Sequence, residues 1–562
     1  MRQHFYSDGV LLPSPNLGEG KQLSTNRPLT KDRRNRAMKD QEQLRNNSGT
    51  GVRKEEFLSR REFLKVSGQV GLGALALMAG GRALLLGQEG VRQQKGIVGI
   101  REIYLEAREV DWELAPGKVI KAMAYNGQIP GPEIRLKEGE RVRILLKNSL
   151  PESTTIHWHG VDVPNPMDGV PGITQDPIKP GETFIYEFEA RPAGTRWYHT
   201  HFQEHRQLDL GLYAPLIIEP AEEKDLAFDR EYILILDDWA TGIGRPLPST
   251  RAGTAGRRGS MGGMMENMMG QMMENMMGLR GMEDRMGDMM GNGQTPAYDT
   301  MTINGKAYPA TEPLHVHKGE RVRLRIINAS ADHTHVLRLA GHHLKVTHTD
   351  GNPLLRPVEV DAVPIAPSER YDVLFVANRP GTWFLFCAEP GHPAAGERVL
   401  VVYDGYEGIE PDMPPEEVTG LNFWHYSLGL GKEILPKPSG QERSFNLTLS
   451  GGMMGSDAWT INGKQYPKTE PLRLRKGDLV RVHFFNHSME AHPMHLHGQS
   501  FKILAVNGRK LSVPVVKDSV DVEAHMGSVD IEFIAYNPGD WFFHCHKPMH
   551  MQGGMITLAR IG

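Results

Sequence analysis

Four short histidine clusters stand out in this chain: HWHG at 157–160, HTH at 199–201, HPMHLHG at 492–498 and HCHKPMHMQGGM at 544–555. Imidazole is the commonest protein ligand for transition metals. On a β-strand, residues i and i+2 point to the same side. Each His-x-His therefore presents two imidazoles on one face: His157 with His159, His199 with His201, His495 with His497, and His544 with His546. In HCH the same rule turns Cys545 to the opposite face, so one strand can serve a metal site on each side. Cys545 is bonded through the peptide chain to both flanking histidines, which makes a short covalent wire between those sites. A thiolate with two histidines and a long axial methionine is the ligand set of a blue copper site, and His492, Cys545, His550 and Met555 supply that set.

The elements that must carry these residues repeat three times. YNGQIPGPEIRLKEGERVRILLKN (125–148), INGKAYPATEPLHVHKGERVRLRIIN (303–328) and INGKQYPKTEPLRLRKGDLVRVHFFN (461–486) each run from an Asn-Gly turn, past a Pro and a Lys/Glu-Gly turn, into an alternating segment ending in Asn. Their later halves also correspond, as AGTRWYHTHFQEH (193–205), PGTWFLFCAEPGH (380–392) and PGDWFFHCHKPMH (538–550). Alternation of period two between glycine turns predicts antiparallel strands with one buried face, hence three sandwiches or Greek-key barrels. The expected domains are 97–222, 228–405 with an insertion at 240–296, and 441–562, after an extension at 1–96 and with a linker at 406–440 running over the surface.

Counting from Asn148, Asn328 and Asn486, His157 and His159 match His495 and His497, while the middle repeat has Leu337 and Leu339 there. His199 and His201 match His544 and His546, against Phe386 and Ala388 in the middle repeat. Eight imidazoles thus come symmetrically from the first and third repeats, which suits a metal cluster between them, with the middle repeat as a spacer. Cys387 and His392 match Cys545 and His550. The count places Thr334 where the third repeat has His492, and Glu397 where it has Met555. A second blue copper is therefore not expected, and Cys387 reads as a small buried residue. His342, His343 and His348 read as structural.

Composition excludes other classes. Lys+Arg of 64 against Asp+Glu of 68 leaves no basic excess for nucleic acid. Two cysteines, one of them a candidate ligand, leave no disulfide framework. SRREFLK at 59–65, followed by a Gly/Ala-rich run to about Leu86, resembles a twin-arginine export signal. Gly68, Gln69, Gly71, Gly73, Gly80, Gly81 and Arg82 interrupt that run, which falls short of the ~20 apolar residues of a membrane span. The expectation is an exported protein, in the periplasm or at the cell surface, without a stable membrane anchor.

The four histidine motifs, their order and their spacing closely resemble the multicopper oxidases, a family that includes laccases, cuprous oxidases and copper-resistance oxidases, from about residue 98 to the end. The resemblance implies three cupredoxin-like Greek-key β-sandwich domains in an all-β chain, and four copper ions. Type 1 copper would take His492, Cys545, His550 and Met555. Type 2 would take His157 and His495, and the type 3 pair His159, His199, His201, His497, His544 and His546. Members oxidise a reductant at type 1 and pass electrons along Cys545 and its neighbouring histidines to the cluster, where dioxygen becomes water. Cu(I) and small phenols or aromatic amines are the implied reductants, dioxygen the acceptor, and a monomer the expected state.

Dioxygen reduction also needs protons. Asp168 stands where bacterial relatives carry an Asp for this purpose; it also reads as a turn residue in Asp-Gly. Many relatives have Glu directly after the last type 1 histidine, where this chain has Met551 and then Gln552, and the sequence leaves Glu204 or a water chain as substitutes. Thirteen of the 28 Met residues lie between Met261 and Met290, with pairs at 264/265, 268/269, 272/273 and 276/277. Thioether sulfur favours Cu(I), and such pairs on a helix would form a stripe; packing or a flexible linker is the alternative, but the methionines are too dense for routine packing and Cu(I) binding is the expectation. The competing functions are a general laccase and an exported copper-sequestering protein. A copper nitrite reductase lacks the eight-histidine cluster, and a scaffold that had lost copper would not keep all twelve ligands.

Overall fold

The computed structural model describes residues 99–221, 227–241, 297–414, 420–452 and 456–562. The segment resembling a twin-arginine signal and residues 261–290 lie outside the described residues. Among those described, no helix is long and apolar enough to cross a membrane.

The chain forms three β-sandwiches, each built from two sheets. The first pairs two four-stranded sheets, the second a seven- with a five-stranded sheet, and the third a six- with a five-stranded sheet. The repeats are visible in the strand pairing. In each sandwich the first long strand runs parallel to the strand that ends in Asn: Ile100–Ala115 beside Arg141–Asn148, Arg230–Trp239 beside Arg321–Asn328, and Glu442–Gly451 beside Leu479–Asn486. Period-two burial along Arg141–Asn148 puts Val142, Ile144 and Leu146 inside. Across the gap between sheets, Trp158 meets Tyr186 edge-on at 5.3 Å in the first domain, and Phe484 meets Phe543 at 5.3 Å in the third. Within 406–440, Trp424 is buried and Leu430–Gly431 pairs with the edge strand Asn352–Val360, so part of this connection is packed rather than loose.

The asparagine closing each repeat has a structural cause. Asn148, Asn328 and Asn486 are fully buried. Each amide donates to at least two backbone carbonyls: Glu152 and Ile178 (both 2.8 Å), His333 and Ile365 (3.0 and 2.8 Å), and Glu490, Val522 and Glu523 (2.7, 3.0 and 3.0 Å). Each side-chain oxygen accepts from the N–H two residues on, at 2.8–2.9 Å. These bonds anchor the loop leading into the histidine-bearing strand. Such a loop would otherwise leave buried carbonyls without donors.

Strand register corrects one count made from the sequence. Cys545 lies opposite Met494 and Cys387 lies opposite Leu337. Leu337 is thus the partner of Met494, and His335, not Thr334, occupies the position of His492. Arg338 and Ala340, rather than Leu337 and Leu339, stand where His495 and His497 do. The loop after Asn328 is one residue longer than the loop after Asn486, and counting from the asparagine cannot detect that.

Candidate metal centre

All eight paired imidazoles converge where the first and third sandwiches meet, each no more than 4% exposed. His157–His159 pairs with Gly194–His199, and His492–Leu496 pairs with Gly539–Cys545. The His157 and His159 rings lie against His497 and His495, with centroids 3.9 and 3.7 Å apart. His546 faces His159 and His199 at 5.1 and 5.2 Å, and His544 faces His201 and His497 at 5.4 and 5.1 Å.

Backbone carbonyls set four of the eight ring tautomers. A carbonyl only accepts, so the facing Nδ1 must carry the proton. His157 donates to Asp168 O (2.9 Å), His199 to Thr200 O (2.7 Å), His495 to Asp518 O (2.8 Å) and His544 to Cys545 O (2.9 Å). Their Nε2 lone pairs are left pointing inward. His159 is reversed: its Nε2 lies 3.1 Å from Asp518 Oδ1, and its Nδ1 is buried without a partner. His199 Nε2, His201 Nε2 and both His546 nitrogens are likewise buried and unpartnered. The Nε2 atoms of His157 and His495 face each other at 3.5 Å, and those of His497 and His544 at 3.0 Å. Burial first, and neighbouring imidazoles next, push His159, His201, His495 and His497 well below the ordinary histidine range. A nest of neutral imidazoles with orphaned inward nitrogens fits metal ions and little else.

On the other face of the HCH strand, Cys545 Sγ lies 3.6 Å from His492 Nδ1 and 3.5 Å from His550 Nδ1, and those nitrogens are 3.1 Å apart. Outer contacts hold both rings: His492 Nε2 on Ser488 Oγ at 2.8 Å, and His550 Nε2 on Glu490 Oε2 at 3.0 Å. Met555 is fully buried, and its carbonyl accepts from Cys545 N–H at 3.1 Å. Burial pushes the Cys545 thiol up, so it ionises only with a cation at hand. The expected alternation is therefore observed, with the thiol and the flanking imidazoles on opposite faces.

Asp168 is buried, with Oδ2 2.8 Å from His497 Nδ1 and Oδ1 3.2 Å from His157 Nδ1. It is also a turn residue: Gly169 follows at φ +84°, where a Cβ would meet Ile156 O at 1.9 Å. Residues that the motifs alone did not reveal complete the surroundings. Asp518 touches His159 and His495 and is held by Arg370. Gly160 of HWHG has φ +77°, and a Cβ there would meet Arg370 Nη2 and Asp518 Oδ2, both at 2.6 Å. The glycine admits that ion pair beneath the histidine strand. No short motif marks Arg370 or Asp518, which lie far apart in sequence.

Models of the multicopper oxidase family match residues 106–223, 275–404 and 440–561. The chain belongs to the multicopper oxidases and uses copper as its cofactor. It is 33% identical over 531 residues to multicopper oxidase MmcO of Mycobacterium tuberculosis, covering 91% of this chain and 98% of that one. It is 28% identical to the copper resistance protein A homolog of Pseudomonas syringae pv. tomato, over 90% of this chain and 99% of the relative. Among solved structures, a multicopper oxidase from Pseudomonas thermotolerans aligns with a TM-score of 0.60 at 27% identity, over 82% of this chain and 99% of that one.

Proposed function

We propose that this oxidase binds four coppers and couples one-electron oxidation of Cu(I), and of phenols and aromatic amines, to four-electron reduction of dioxygen, with a role in copper tolerance. The observation carrying this reading is the Cys545 strand, with a His₂Cys set at its thiol and the eight-imidazole nest at His544 and His546. His492, Cys545, His550 and Met555 would hold type 1 copper. His157 and His495, whose Nε2 atoms face each other, would hold type 2. His159, His199, His201, His497, His544 and His546 would hold the type 3 pair. Bound copper supplies the electron chemistry; the protein supplies neutral ligands, a covalent path and protons.

For protons, Asp168 reaches two cluster histidines. Glu204 is the second candidate: its buried carboxyl lies 3.3 Å from His201 Nδ1, and burial followed by Asp209 raises its pKa well above the usual range.

The outer edge of the type 1 site favours a cationic reductant. Glu490, half-exposed, bonds His550 Nε2, and its sequence neighbour Met489 is 68% exposed. The charge of that carboxylate draws a cation towards the imidazole. The Met-rich segment would add soft donors. The resemblance of residues 59–65 to a twin-arginine signal supports export.

Turnover of Cu(I) and of a phenol in one preparation tests the substrate. A higher kcat/KM for Cu(I) is expected. Phenol oxidation with no Cu(I) oxidation would leave a general laccase.

A further inference from the structure

The middle domain has a counterpart of the type 1 ligand set. His335, Cys387, His392 and Glu397 are 0–9% exposed, and one ligand atom from each lies within 4.8 Å of all the others. Cys387 Sγ is 3.3 Å from His392 Nδ1, His392 Nδ1 is 3.1 Å from Glu397 Oε2, and His335 Nδ1 is 2.8 Å from the same oxygen. The third-domain counterpart of the first of these, Cys545 Sγ to His550 Nδ1, spans 3.5 Å.

The supporting frame is duplicated as well. Cys387 N–H donates to Glu397 O at 3.2 Å, as Cys545 N–H does to Met555 O at 3.1 Å. Glu397 N–H donates to His392 O at 3.0 Å, as Met555 N–H does to His550 O at 3.1 Å. His335 Nε2 rests on Ser330 Oγ at 2.6 Å, as His492 Nε2 rests on Ser488 Oγ at 2.8 Å. Each serine is itself fixed by the buried asparagine two residues before it. The ring nitrogen turned away from the cluster is thus occupied, and Nδ1 is turned inward in both domains.

We propose that His335, Cys387, His392 and Glu397 form an additional mononuclear site for a divalent transition-metal ion, Cu²⁺ or Zn²⁺. The one chemical difference from the third domain is Glu397 in place of Met555. A carboxylate is a harder donor than a thioether and carries charge. It disfavours Cu(I) and favours a divalent ion, whose charge the thiolate and carboxylate together cancel. Two imidazoles, a thiolate and a carboxylate also make a closed four-donor set of the kind seen in structural zinc sites. The ion would pin the segment from Glu389 to Glu397 to the sheet and would not relay electrons.

Metal content of the full-length holoenzyme tests this. Copper and zinc per chain are measured by plasma mass spectrometry for the natural protein, Cys387→Ser and Glu397→Gln, each loaded with both metals. Each variant is expected to lose about one ion per chain, with the blue colour and phenol turnover kept. Loss of copper identifies a copper site and loss of zinc a zinc site. An unchanged count overturns the proposal and leaves Glu397 as a hydrogen-bonding partner of two histidines. If those variants fail to fold, Cys545→Ser provides the second measurement, because Cys387 is then the sole thiol in the chain. Added Co²⁺ should produce thiolate charge-transfer and intense visible bands of a four-coordinate ion, and their absence also overturns the proposal.

Discussion

Arg370 of the middle domain grips Asp518 of the third through two parallel N–H···O bonds of 2.6 Å, with both side chains buried. Asp518 in turn contacts His159 through its carboxylate and His495 through its backbone carbonyl. One ion pair between two domains therefore sits behind two histidines of the cluster. Without Arg370, Asp518 keeps only Arg196, 3.6 Å away, as a cation, so the cost is at most the roughly 3–5 kcal/mol of a broken buried pair. Arg370→Met should lower Tm and reduce copper in the eight-histidine cluster while the blue colour remains. Unchanged Tm and copper content would show that Asp518 holds its place without the arginine.

Cys545→Ser should remove the blue colour and the oxidase activity together, since it removes a proposed type 1 ligand and the covalent link to His544 and His546. Visible absorbance and oxygen uptake are the measurements. A variant that stayed blue would move the blue site elsewhere, first to Cys387.

His157→Ala or His495→Ala should deplete type 2 copper and stop dioxygen reduction with the blue colour retained. Both rings lie on the far side of the HCH strand from Cys545. Paramagnetic resonance separates the two copper signals, and loss of the blue signal would mean that the two sites are not independent.

Asp168→Asn should slow dioxygen reduction by about 100-fold or more, the usual range for a positioned proton donor, with copper content intact. The amide keeps the size of the side chain but cannot relay a proton. Unchanged oxygen uptake with a fast electron donor would reduce Asp168 to a turn residue that orients His157 and His497.

Changing the paired Met residues between 264 and 277 to Leu keeps size and helix propensity while removing the sulfur. Cu(I) oxidation should weaken and phenol oxidation should persist, read as separate kcat/KM values. Deleting residues 261–290 should act in the same direction, with phenol turnover kept or raised. An unchanged kcat/KM for Cu(I) in the Leu variant would make the segment packing or linker.

The pairing of His544 with His546, and the turning of Cys545 away from both, were legible from the sequence because strand alternation is a local property set by the backbone itself. The threefold repeat was legible for the same reason, since each copy carries its own Asn-Gly turn and closing asparagine. Contacts that depend on distant segments were not. Arg370 and Asp518 meet only when two domains dock, and Gly160 makes room for them without any local sign of doing so. His335 was missed because a loop absorbs one extra residue after Asn328, and only hydrogen-bonded register shows which residue then faces Cys387. A strand fixes which way its side chains point; which side chains they meet is decided by the packing of sheets against one another.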